Sequence, residues 1–130
     1  MLFRSQRAGE YLRRYDEARR YAEETPLGAT TLNAPVAQRR IALAKAPLFF
    51  VALEDAGGPA PVRSGLAHVV SLLRGKEVDY NDVRSALEQS TGKKLGELFR
   101  VWLNRKGIPD DFRQRYQPAA VAEQALNEMP

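Results

Sequence analysis

The segment from Val36 to Asp55 places the tightest constraint on how this chain can fold. Ile41, Leu43, Leu48, Phe49, Phe50, Val51 and Leu53 surround a helix axis there instead of forming one stripe. A helix that is apolar on every side has to be covered on every side. Its core, IALAKAPLFFVAL, is interrupted by Lys45 and Pro47 and falls short of the ~20 apolar residues needed to cross a bilayer. The segment therefore predicts a central buried helix over about residues 36–55, and no membrane span. Pro47, which lacks an N–H, predicts a kink or a fresh start within it.

The flanking segments supply the cover. Ala8, Tyr11, Leu12, Tyr15, Ala18 and Ala22 recur at three- and four-residue spacing over about residues 3–24, one stripe of an amphipathic helix. Thr25-Pro26-Leu27-Gly28 stops it. After the break at Gly57-Gly58-Pro59-Ala60-Pro61, residues Val62, Leu66, Val69, Val70 and Leu73 form a further helix with Gly75 as its left-handed cap. A short extended piece at Glu77-Val78 leads to Asp79, which caps the next helix with Asp82 three residues on. Val83, Ala86 and Leu87 face inward there, and Gly92 ends it. Leu95, Leu98, Phe99, Trp102 and Leu103 make another stripe, closed by Gly107 and Pro109. The fold expected is all-α: four to five helices in an irregular bundle, one domain over residues 1–130. Residues 113–130 form a mobile tail in this reading, or a short helix from Ala119 to Leu126 after Pro118.

Chemistry is narrowed by what the chain lacks. It has no cysteine and one histidine, His68, whereas a catalytic zinc site wants two or three imidazoles. His68 sits on or beside the inner face of its helix, where a packed side chain is the ordinary role. Ser90-Thr91-Gly92-Lys93-Lys94 fails the spacing of a phosphate-binding loop and reads as a helix C-cap. Asp110-Asp111 suits the first turn of a helix better than a cation site. Phe49, Phe50, Phe99 and Trp102 read as core. The N-terminus shows no apolar stretch and cleavage site of a signal peptide. The net charge is +4, and residues 4–24 mix six arginines with five acids, the pattern of a solvated helix face. Lys93, Lys94, Arg100, Arg105 and Lys106 form the one basic face, without the interleaved aromatics that stack nucleic-acid bases. Nucleic acid is accordingly not an expected partner.

Residues 92–109, GKKLGELFRVWLNRKGIP, resemble the closing helix pair of the catalytic domain in zinc metallopeptidases of the aminopeptidase N family, whose pattern is G-x-x-L-x-x-F-F-x-x-W-L-x-x-x-G-x-P. Gly92, Leu95, Phe99, Trp102, Leu103, Gly107 and Pro109 match it in register, with Leu98 in place of the first aromatic. Upstream, VDYNDVRSALEQSTG resembles the family helix before that pair, and LAKAPLFFVALEDAGG resembles its Y-x-K-G-x-x-x-L-x-x-L segment. The resemblance spans about residues 40–112.

The family's metal centre has no counterpart here. Zinc in such enzymes is held by H-E-x-x-H and a further glutamate, and this chain has no such motif. The tyrosine that stabilises the tetrahedral intermediate falls at Leu43, the motif lysine at Lys45 and the glycine at Ala46, and no tyrosine occurs between Tyr21 and Tyr80. The resemblance thus implies a non-catalytic helical subdomain supporting a substrate cleft in a larger parent, with no cofactor in this chain. Zinc is expected only if the parent retains H-E-x-x-H. Its expected partner is the rest of that parent, or a second copy, through an exposed apolar patch. The competing expectation is an independent module that binds a protein or an anionic ligand through the basic face.

Overall fold

A computed structural model describes residues 4–72, 74, 75, 77 and 79–128. Among these, every regular element is helical: α1 (Arg4–Ala18), a 3-10 turn (Leu27–Ala29), α2 (Val36–Gly57), α3 (Pro59–Leu72), α4 (Tyr80–Thr91), α5 (Gly96–Asn104) and α6 (Asp110–Asn127). The all-α class holds, with six α-helices where four to five are expected. The additional helix is α6, which starts well before Pro118 and runs through it. Ile108, Phe112, Tyr116 and Ala120 recur at four-residue spacing and are all buried, so one apolar line carries the segment against α1. Asp110 and Asp111 occupy its first turn, where the helix dipole favours carboxylates. The Arg113 guanidinium then donates to both carboxylate oxygens of Asp16 on α1, each at 3.0 Å. Leu73 and Val78, to which the sequence assigns an inner-face and an extended position, lie outside the described residues.

The helices gather into two compact units, Met1–Val51 with Val101–Pro130, and Ala52–Arg100. In the first, α1 and α6 pack along each other and an aromatic chain fills the core. Trp102 stacks on Phe49 with ring centroids 5.9 Å apart, meets Phe112 edge-on at 5.0 Å, and Phe112 contacts Tyr116 at 4.7 Å. α2 contributes Ile41, Ala44, Lys45, Leu48 and Phe49 to the buried set. It is continuous through Pro47, whose missing N–H leaves the Leu43 carbonyl without its intrahelical donor. Leu43 is exposed, which lets water take that place.

In the second unit α3 lies against α4 so closely that a Cβ at position 65 would stand 2.3 Å from Ser90 Oγ and 2.9 Å from a Leu87 methyl. Glycine is what permits that approach. Ser90 Oγ donates to the Pro61 carbonyl at 2.9 Å, so a polar clasp closes the same contact. The capping box is present at α4: the Asp82 N–H donates to Asp79 Oδ1 at 2.9 Å and the Asp79 N–H to Asp82 Oδ2 at 3.2 Å. On α3 the buried line is Val62, Gly65 and Val69, and His68 and Val70 fall to either side of it and are exposed. His68 therefore stands beside the inner face, and it is exposed where a packed side chain is expected, because the buried face of a short helix is set by the neighbour it meets.

The larger departure concerns α2. Its apolar residues surround the axis, yet it is not covered all round: Val36, Leu43 and Phe50 are 56%, 71% and 44% exposed. Seven-residue spacing puts them on one line of the helix. Leu43 and Phe50 are corrected from core to surface, because apolarity on every side permits burial anywhere and only the packing partners decide which side stays open.

Candidate functional site

Two features of the first unit adjoin each other on α2: a buried polar cluster and an open groove. The cluster is built on Lys45, one turn beyond Ile41 on the inward face of α2, and on Glu24, which lies between the end of α1 at Ala18 and the 3-10 turn at Leu27–Ala29. They are 1% and 3% exposed. The helix expected over residues 3–24 ends at Ala18, and residues 19–22 form a turn and bend, so Glu24 reaches the cluster from non-helical chain. Lys45 Nζ donates to Glu24 Oε2 at 2.9 Å and to the Arg105 carbonyl at 2.9 Å. Glu24 Oε1 accepts the Tyr15 hydroxyl and, at 2.8 Å, the N–H of Gly107, while Arg19 Nε approaches it at 3.7 Å. Gly107 has φ of 86°, a left-handed conformation that a side chain resists. It turns the backbone after α5 so that its N–H reaches the carboxylate.

Burial alone would raise the Glu24 pKa, but the hydrogen bonds from Tyr15, Lys45 and the Gly107 N–H outweigh it and hold the carboxyl below its ordinary value. The Tyr15 hydroxyl is pushed up, by burial first and then by the Glu24 carboxylate it donates to. Since the folded-state pKa of Glu24 is depressed, its contribution to stability is complete above the unfolded-state value of about 4.3 and is lost as pH falls through the folded-state value. Urea midpoints measured from neutral pH downward should therefore fall on the acid limb. Glu24→Gln, which has no proton to take up at this position, should give a shallower fall.

The groove has a volume of about 290 Å³ and runs between α1 and α2. Tyr11, Ala18 and Tyr21 line it on one side and Ala37, Arg40 and Leu43 on the other. Arg14, Glu17 and Ala44 complete its lining, so it mixes small, apolar, aromatic and charged residues. Tyr21 is 77% exposed, so the groove lies open beside the line of Val36, Leu43 and Phe50.

The residues of the aminopeptidase-like run each occupy a definite structural position. Gly92 caps α4 in the left-handed region; Leu95, Phe99, Trp102 and Leu103 are buried; Gly107 serves Glu24; and the Pro109 carbonyl accepts the Arg113 N–H at the start of α6. Of the degenerate motif, Leu43 stands in the groove wall, Lys45 is the buried cation, and Ala46 is half-buried. Lys93 and Lys94 precede α5 and Arg105 and Lys106 follow it, all exposed, while Arg100 is bound by Glu97 one turn away on α5. Asp110 and Asp111 are exposed in the first turn of α6. Among the described residues no three His, Asp or Glu side chains converge as metal ligands, and no helix is long and apolar enough to cross a membrane.

Glu24 escapes the sequence argument. It sits in a stretch of mixed charge that reads as a solvated face. The available signal is elsewhere: no Asp or Glu occurs between Glu24 and Glu54, so a lysine inside the apolar run has to find its carboxylate outside it.

Fold and site together define an all-helical protein with a buried lysine–glutamate pair behind an exposed apolar helix face. No protein-family model, curated protein or solved structure matches the chain.

Proposed function

We propose that this chain is a non-catalytic helical module, akin to the C-terminal helices of an aminopeptidase-N-type catalytic domain, that supports a neighbouring polypeptide instead of hydrolysing peptide. The observation that carries this reading is the bond from Lys45 to the Arg105 carbonyl. It joins the lysine of the degenerate Y-x-K-G segment to the W-L-x-x-x-G-x-P run, two stretches assigned to the family separately and 60 residues apart. Leu43 holds the tyrosine position and has no hydroxyl to offer an oxyanion, a loss worth about a hundredfold or more in rate. The open line of Val36, Leu43 and Phe50 supports the docking role, because contiguous exposed apolar residues mark contact surfaces.

Zinc analysis and a peptide-hydrolysis assay on the purified chain test the proposal. The expected result is no stoichiometric zinc and no hydrolysis above background, in Leu43→Tyr as in the unaltered chain, because the hydroxyl alone lacks a metal to work with. A chain that binds zinc by itself and turns over peptide overturns it.

A further inference from the structure

The groove between α1 and α2 has a chemical character that goes beyond a supporting role and does not depend on it. We infer that it is the docking site for an acidic amphipathic helix of a partner protein, with apolar anchors over Leu43 and a carboxylate on Arg40.

The apolar part of the inference comes from the surface itself. Ala18, Ala37 and Ala44 in the groove leave room for another chain's side chains to come close. A volume of about 290 Å³ is at the lower limit of small-molecule pockets and suits one or two inserted side chains. The exposed line continues from Val36 through Leu43 to Phe50, a reach of about 21 Å at the α-helical rise. That length matches about four turns of a partner helix, read through anchors at three-, four- and seven-residue spacing.

Charge decides what kind of helix. On α1 the rim charges are already matched, Arg14 by Glu10 and Glu17 by Arg13 at 3.6 Å. On α2 they are not. No acidic residue occurs between Glu24 and Glu54, and Glu24 is buried against Lys45. Arg40 is exposed in the groove wall, and its guanidinium makes no hydrogen bond or ion pair with the described residues. The α2 wall is therefore cationic beside an apolar stripe, and a partner carrying carboxylates next to its anchors complements both. A second copy of this chain presents the same cationic wall, with Arg40 again beside Leu43, and the one carboxylate in its groove, Glu17, is already paired with Arg13.

The test uses the intact chain and two fluorescent synthetic helical peptides of about four turns, both with leucines at i, i+4 and i+7. One has glutamates at the flanking positions and the other has lysines. The expected result, by fluorescence polarisation near physiological ionic strength, is binding of the glutamate peptide at least about tenfold tighter than the lysine peptide, with the difference shrinking as salt is raised. Arg40→Glu should abolish or invert the preference, and Leu43→Glu should remove binding of both. Both positions are exposed, and the peptide comparison on the unaltered chain does not rely on either variant. Equal affinities, or no binding of either peptide, overturn the inference. So does sedimentation showing a dimer that Leu43→Glu dissociates, which assigns the groove to a second copy. Neither result bears on zinc content or hydrolysis, so failure here is distinguishable from failure of the supporting role.

Discussion

Lys45→Ala is expected to destabilise the protein by about 3–5 kcal/mol, the range seen when one member of a buried ion pair is removed and its partner stays behind uncompensated. The reason is specific to the geometry. Glu24 would keep the Tyr15 hydroxyl and the Gly107 N–H but lose the fully buried cation beside it, and the Arg105 carbonyl would lose its donor. Total stabilities of domains this size are about 5–15 kcal/mol, so the variant should unfold at a much lower urea concentration. The informative control is Lys45→Met combined with Glu24→Gln. Replacing both charges by groups of similar size avoids the buried unpaired carboxylate, and the double variant should recover much of the loss. If the single and double variants were equally unstable, the pair would be a packing element and its charges immaterial.

Trp102→Ala should cost a similar amount, about 3–5 kcal/mol, through the cavity it leaves. Trp102 is 1% exposed and holds Phe49 on its face and Phe112 against it edge-on, so the cavity would open at the centre of the aromatic chain, where neighbours are poorly placed to collapse into it. Trp102→Phe keeps a ring in the site and should lose clearly less. Unfolding of the alanine variant has to be followed by helical circular dichroism, since Trp102 is the one tryptophan in the chain. In the unaltered protein its fluorescence reports on the unit formed by residues 1–51 and 101–130.

The two variants probe features of different visibility. Trp102 was legible: it stands on a three- and four-residue apolar stripe with Leu95, Leu98, Phe99 and Leu103, and such a stripe has one inward direction. The capping box of Asp79 and Asp82 was legible for the same reason, since both partners lie within one turn. The buried cluster was not. Glu24 and Lys45 are 21 residues apart, and the third participant, the Arg105 carbonyl, is a backbone group with no residue-type signature. Phe112 and Tyr116 lay between these extremes: their four-residue spacing with Ile108 and Ala120 was present, but Pro118 drew the expected helix start past them.

The same division explains the candidate docking face. Periodicity, turn residues and caps are properties of neighbours along the chain, and they determined that the protein would be helical and where most helices would begin and end. They could not determine which side of α2 would remain uncovered, because a helix apolar all round offers every side equally and its neighbours make the choice. The tertiary structure decided that the Ile41, Lys45 and Leu48 side would be enclosed and the Val36, Leu43 and Phe50 side left open. It also decided that Lys45 would be neutralised from within while Arg40 was not. Burial leaves a charge that cannot reach water in need of a partner, whereas an exposed guanidinium is held by water until a carboxylate arrives.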